Sequence, residues 1–157
     1  MSTSGLGRGL STMLDRHRRI GIDSNVLIHL MEGSGPEAEA AHALLGALGA
    51  GQARGVASTI VLTEVLSGPA RADAGPAFEA IAADLRDLPG LDWLPVSPEI
   101  AIDAGWLRGH GLSDLGDAIV VATARAAGAT ALVTNDRRVR SRPQLEVVLL
   151  SDLEPTA

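Results

Sequence analysis

The chain predicts an α/β fold in one domain, built on a mostly parallel sheet with helices on both faces. Three observations carry this expectation. A length of 157 residues suits a single domain that can bury a real core. A composition of 46% apolar and 20% charged residues is globular rather than disordered. Above all, short apolar runs alternate with amphipathic helical patterns, and that alternation builds parallel strands joined by right-handed crossovers.

The elements follow in order. Residues 1–18 are rich in Gly, Ser and Thr and end in a basic run of Arg16, Arg18 and then Arg19. They read as a flexible extension with one frayed turn around Met13 and Leu14. Residues 19–154 are the expected domain. A strand at 19–23 runs into a helix at 24–32. Gly33-Ser34-Gly35 separates that helix from one opened by Pro36 and reaching residue 50, in which Ala40, Leu44, Leu45 and Leu48 recur at helical spacing. Gly51 and Gly55 bracket a turn before a strand at 56–58. A helix at 59–66 is expected to stop at Gly68-Pro69. A helix at 74–87, a strand at 91–94 and a helix at 98–110 come next. The chain closes with a helix at 115–127 and strands at 131–134 and 146–150.

Composition narrows the chemistry. With no Cys, disulfides and thiolate metal sites are excluded. Aromatic residues make up only 2%, so Ala, Val, Leu and Ile must fill the core. All 13 basic residues are Arg, which removes any chemistry that depends on Lys. A net charge of −6 argues against a globally basic nucleic-acid binder, although acids gathered into one site would make part of that charge local. No apolar stretch approaches the roughly 18 residues of a membrane span, and the N-terminus lacks a secretory apolar run. A cytoplasmic protein is expected.

Four acids sit in apolar company at strand carboxyl ends or at the starts of the following helices. In open parallel sheets ligands bind there, where strand order reverses. Asp23 ends Ile20-Gly21-Ile22. Glu64 lies in Ile60-Val61-Leu62-Thr63-Glu64-Val65-Leu66, a helix with almost no polar face. Asp117 opens Asp117-Ala118-Ile119-Val120-Val121, and Asp136 follows the strand ending at Thr134. Each alone has an ordinary explanation: Asp23 and Asp136 as caps or turn residues, Asp117 as a complement to a helix dipole. Glu64 resists one, because a buried unpaired carboxylate costs several kcal/mol or protonates. Four acids converging at one sheet edge repel one another and call for a cation. No Arg lies within the apolar runs that carry them. Oxygen ligands select Mg²⁺ or Mn²⁺ over zinc, and the chemistry implied is metal-assisted phosphodiester hydrolysis.

At these residues the sequence resembles the PIN-domain nucleases, and among them the VapC-type toxins of bacterial toxin–antitoxin pairs. The matching pieces are Ile22-Asp23-Ser24-Asn25-Val26-Leu27-Ile28, Thr63-Glu64-Val65-Leu66, Leu115-Gly116-Asp117-Ala118-Ile119 through Ala122-Thr123-Ala124, and Thr134-Asn135-Asp136-Arg137. The resemblance covers residues 20–150. It implies a three-layer α/β/α sandwich, with Asp23, Glu64, Asp117 and Asp136 as the catalytic and metal-binding quartet. It also implies Mg²⁺ or Mn²⁺, an RNA substrate, an antitoxin partner and a homodimer. Ser24 stands where the family more often has Thr, Gly116 where Pro is common, and the N-terminal extension is longer than usual.

Around the quartet, Ser24, Asn25, Thr134 and Asn135 are candidates to orient carboxylates or waters, with capping and turn chemistry as the alternative. Asp114 is a fifth acid or, more simply, a helix cap. Arg137, Arg138 and Arg140, with Arg142, are candidate RNA-phosphate contacts, or else a solvated loop. His17, His29, His42 and His110 show no ligand spacing. Gly5, Gly7 and Gly9 imitate part of a dinucleotide fingerprint, but no strand precedes them. A phospho-transfer receiver would need a Lys, and a haloacid-dehalogenase-like phosphatase would need an Asp at the place of Asn25. The remaining alternatives are a PIN nuclease of housekeeping RNA processing and a PIN-like module that binds without cutting.

Overall fold

The computed structural model describes residues 8–72 and 75–153. In chain order the elements are α1 (Arg8–Arg16), β1 (Arg19–Ile22), α2 (Ser24–Glu32), α3 (Pro36–Gly49), β2 (Arg54–Ser58), α4 (Thr59–Arg71), α5 (Gly75–Arg86), β3 (Leu91–Leu94), α6 (Pro98–Gly109), α7 (Leu115–Ala126), β4 (Ala131–Thr134), β5 (Glu146–Leu149) and a 3₁₀ turn (Leu150–Leu153). The five strands pair in the order β3-β2-β1-β4-β5, and every pairing is parallel.

The chain starts in the middle of the sheet, moves outward through β2 and β3, then returns to the other side of β1 for β4 and β5. Strand order therefore reverses between β1 and β4, and a crevice opens beyond their carboxyl ends. Burial follows position. All four residues of β4 are buried, while β5 at the edge is only half-buried throughout, as expected when helices cover both faces of a parallel sheet.

Helix α7 lies across β1, β2 and β4 and pairs with α6. Gly21 permits that approach, since a Cβ there would lie 3.1 Å from Ala124 Cβ and 3.0 Å from Leu132 Cδ1. Ile20 and Ile22, which alternate with Gly21, point to the opposite face. Helix α2 packs on α3 and β4. Among the described residues, no helix is long and apolar enough to cross a membrane.

Two expectations are corrected. The proposed flexible extension lies outside the described residues over 1–7, but residues 8–16 form a helix. Leu10, Met13 and Leu14, at helical spacing, are buried, and α1 packs on the 3₁₀ turn. Just after it His17 bridges Thr130 Oγ1 and Glu146 Oε1, each at 2.8 Å. Nine residues are too few for an independent helix; contacts remote in sequence hold this one. The second correction is α4, which runs through Gly68-Pro69 to Arg71. Pro69 lacks the N–H that would reach Val65, while Ser67 Oγ donates to the Thr63 carbonyl at 2.7 Å and caps a neighbouring acceptor.

Because Leu10 is fully buried, Leu10→Ala should lower stability by about 2 kcal/mol, the lower end for such truncations, since α1 can detach locally. Urea unfolding checks this, and an unchanged midpoint would return the segment to a loose extension.

Candidate active site

Asp23 follows β1 directly and caps α2. Its backbone is extended (φ −85°, ψ 164°), and its Oδ1 accepts from Ser24 N at 2.7 Å. Its own N–H continues the sheet ladder to the Val133 carbonyl at 3.1 Å. The cap is thus real, but it uses only one carboxylate oxygen. Oδ2 accepts from the hydroxyl of Thr134 at 2.7 Å. Asp23 is 4% exposed, and burial raises its pKa, only partly countered by the bonds from Thr134 and Ser24.

Thr134 is the hub that joins β1 to β4. It is fully buried, donates to Asp23, and accepts from Asn25 Nδ2 at 3.2 Å and from Asp136 N at 3.1 Å. Asn25 Oδ1 accepts from Asn135 N at 2.9 Å, and Asn135 Oδ1 from Ser151 N at 3.3 Å. Thr134, Asn25 and Asn135 therefore form one network across the switch point, extending to the 3₁₀ turn. Capping and carboxylate positioning are here the same bonds.

Glu64 is not buried, contrary to the sequence expectation. Helix α4 buries Val61 and Val65, and Glu64 lies on its exposed side. Its carboxylate reaches toward the first turn of α7, where a Cβ on Gly116 would stand 2.7 Å from Glu64 Oε2. Gly116 thus leaves room for the acid, a role no local pattern announces. Partial burial raises the Glu64 pKa, a Ser24 hydrogen bond opposes this, and Asp23 and Asp114 add to it.

Asp117 sits in the first turn of α7. Asp114 is the N-cap of that helix, its Oδ1 accepting from Asp117 N at 2.9 Å. Burial first, then the charges of Asp114, Asp23 and Asp136, push the Asp117 pKa to about 7, with Arg138 opposing. Asp136 behaves oppositely. Arg138 forks onto it, Nε to Oδ1 at 3.0 Å and Nη2 to Oδ2 at 2.8 Å, and its backbone N–H adds a bond of 2.9 Å to Oδ1. These hold the Asp136 pKa below the ordinary value. No Arg lies within the apolar runs, as the sequence indicates, but Arg138, two residues beyond Asp136, is close enough to fold back onto it. Arg137 and Arg140 are exposed.

Asp23, Asp117 and Asp136 feel one another's charge, and Glu64 feels that of Asp23. Three are pushed toward protonation, by burial first, with the charge of neighbouring carboxylates adding to it. The all-oxygen donor set fits Mg²⁺ or Mn²⁺. Among the described residues, however, no three acidic or imidazole side chains converge closely enough to hold one ion as they stand, so side chains must turn to close the set.

Metal-free stability should report this crowding. Asp117 ionises at about 7 in the fold against 3.8 ordinarily, so the folded state holds the extra proton between those values. Its contribution is complete at low pH and is lost as pH rises through about 7. Asp117→Asn should flatten that decline and raise stability in EDTA at alkaline pH, by on the order of 1–2 kcal/mol after solvent screening. Thermal melts across this range check it; a variant that melts below wild type would reveal a structural bond of the carboxylate.

A family model described as PIN domain matches residues 20–144. No curated protein matches the chain in sequence. Among solved structures, a toxin–antitoxin complex from Klebsiella pneumoniae is 24% identical, covering 80% of this chain and 94% of its own at a TM-score of 0.59. VapBC2 from Rickettsia felis, bound to a DNA fragment from its promoter, is 18% identical, covering 83% and 98%, with a TM-score of 0.66. VapC20 of Mycobacterium tuberculosis, a sarcin-ricin loop cleaving toxin, is 20% identical, covering 72% and 86%, with a TM-score of 0.57. At these identities the likeness is one of fold.

Proposed function

Because the chain belongs to the PIN-domain family, we propose that it is a Mg²⁺- or Mn²⁺-dependent endoribonuclease, the toxin of a toxin–antitoxin pair. What supports this reading is the coupling of Asp23 to Glu64, Asp117 and Asp136 near the switch point, with the pKa values of Asp23, Glu64 and Asp117 raised. A divalent ion held by these acids would activate a water and stabilise the leaving oxygen of a phosphodiester. The chain's own residues position the donors: Ser24 and Thr134 fix Asp23, and Asn25 and Asn135 brace Thr134. Arg138 keeps Asp136 ionised, and Arg137 and Arg140 beside it offer guanidinium forks to RNA phosphates.

A groove between α2 and α4 supports a protein partner. It measures about 320 Å³ and is lined by Ile28, Met31 and Val65, with Glu32, Glu64 and Arg71 among its polar lining. Ile28 and Met31 are large apolar side chains left exposed. The antitoxin is the occupant in this reading, and a homodimer in the cytoplasm completes it. Purified protein should cleave RNA, stop in EDTA and resume with added Mg²⁺ or Mn²⁺. Cleavage that persists in EDTA would refute the metal mechanism; a protein that never cuts under any of these conditions would leave a binding module.

A further inference from the structure

The acid cluster occupies one end of β4, and a cavity opens at the other. It measures about 840 Å³ and is lined by the ends of α6 and α7, the residues leading into β4, and the loop before β5. We propose that this cavity is a second RNA subsite, which stacks an unpaired base on Trp106 and holds the adjoining phosphate with Arg125 and Arg142. The proposal rests on the ribonuclease reading and extends it to a substrate segment beyond the cleaved bond.

Four independent features point there. Trp106 is 64% exposed, in a chain with only two Trp, one Phe and no Tyr. Its ring stacks on His110, centroids 3.9 Å apart and planes 18° from parallel, and His110 Nδ1 meets the Trp106 carbonyl at 2.9 Å. The rings thus form a pre-set platform, and every base has a π-face to lay on one. Trp93, by contrast, spends its N–H on the Leu85 carbonyl and packs against the core.

Charge is the second feature. The chain carries 19 acids against 13 arginines, yet among the described residues no acidic side chain lines this cavity, whereas Arg125 and Arg142 do. Arg142 Nη1 bonds the Arg140 carbonyl at 2.8 Å, which fixes the guanidinium in place. Arg125 Nε is held by Asp103 at 3.4 Å. Planar guanidinium forks suit phosphate oxygens.

The third feature is the rim. Gln144 adopts φ 68°, a conformation that costs a non-glycine residue energy and that concentrates at functional sites. Reciprocal backbone bonds between Arg142 and Leu145, both 3.0 Å, impose it, so the wall is built rather than loose. The fourth is placement. Thr130 lines the cavity, while Thr134 holds Asp23 and Asp136. Four strand steps separate them, about 13 Å at 3.3 Å per residue, or roughly four stacked nucleotides at 3.4 Å each. Arg138, Arg140 and Arg142 recur at alternate positions along the loop that joins the two ends.

A second copy of the chain is the rival occupant, since Ile102 is exposed beside Trp106 one turn away on α6. The concave lining, with Arg142 carrying no carboxylate partner among the described residues and Arg125 only the Asp103 contact, favours RNA. The test is fluorescence anisotropy of a short unstructured RNA of mixed sequence with wild type, Trp106→Ala and Arg142→Ala, in EDTA. Trp106 is exposed enough for its variant to fold. Trp106→Ala should weaken binding about tenfold, within the range for loss of one stacked base, and abolish the RNA-induced quenching of tryptophan emission. Arg142→Ala should lower the salt slope by about one phosphate contact. Equal binding by wild type and Trp106→Ala overturns this inference alone. So does a Trp106→Ala protein that sediments as monomer where wild type is a dimer, with RNA affinity unchanged. A wild type that binds no RNA in EDTA and cuts none with added Mg²⁺ or Mn²⁺ overturns the ribonuclease reading, and this inference with it.

Discussion

Asp23→Asn should reduce metal-dependent RNA cleavage by more than about 100-fold, beyond what the loss of a partner outside the metal's own ligands costs. The same change should relieve the growth arrest expected when wild type is expressed alone. Its value lies in what it leaves intact. The amide oxygen can keep the bond from Ser24 N, but its NH₂ faces Thr134 Oγ1, which already accepts from Asn25 and Asp136. One of these bonds is lost, at about 1 kcal/mol. Removing a carboxylate whose burial already raises its pKa works the other way. The variant should therefore melt close to wild type in EDTA while losing Mn²⁺ affinity in a calorimetric titration. Wild-type cleavage and Mn²⁺ affinity in the variant would remove Asp23 from the site.

Thr134→Val should cost about 3 kcal/mol, the largest stability effect expected of a change that keeps shape. Val preserves branching and strand preference, so the hydroxyl alone is tested. That hydroxyl makes three bonds at a fully buried position. Without it, Asp23 Oδ2, Asn25 Nδ2 and the Asp136 N–H lose a partner together. Each buried unsatisfied group costs about 1–3 kcal/mol, and the two groups nearer solvent recover part of theirs. The bond that lowers the Asp23 pKa also disappears, so the carboxylate becomes harder to ionise and metal binding should weaken too. Thr134→Ser, which restores the hydroxyl, should recover both properties. Denaturant midpoints at unchanged m-value decide the matter; a loss below about 0.5 kcal/mol, an ordinary surface effect, would mean the network is not structural.

Much of the fold was legible because its signals are local. Helix α2 begins at Ser24 after an Asp cap and ends at Gly33, which adopts the left-handed conformation. Strands β3 and β4 lie at 91–94 and 131–134, where the sequence predicts them. The positions of Asp23 and Asp136 just after β1 and β4 were readable for the same reason, and the parallel pairing of those strands brings their ends together.

What stayed hidden depends on residues far apart in the chain. Asp23 and Thr134 are 111 positions apart, and nothing near either announces the bond between them. Leu10, Met13 and Leu14 become a helix only because the 3₁₀ turn of the last described residues buries them. Glu64 looked buried because its neighbours are apolar, yet α4 turns those neighbours inward and leaves the acid facing Gly116 across the cleft. Sequence determined element type, strand direction and the supply of carboxylates, since propensity, periodicity and caps act over a few residues. Only the tertiary structure decided which carboxylates are desolvated, which one Arg138 neutralises, and which hydroxyl holds them, because burial and Coulomb energy depend on distance in space rather than along the chain.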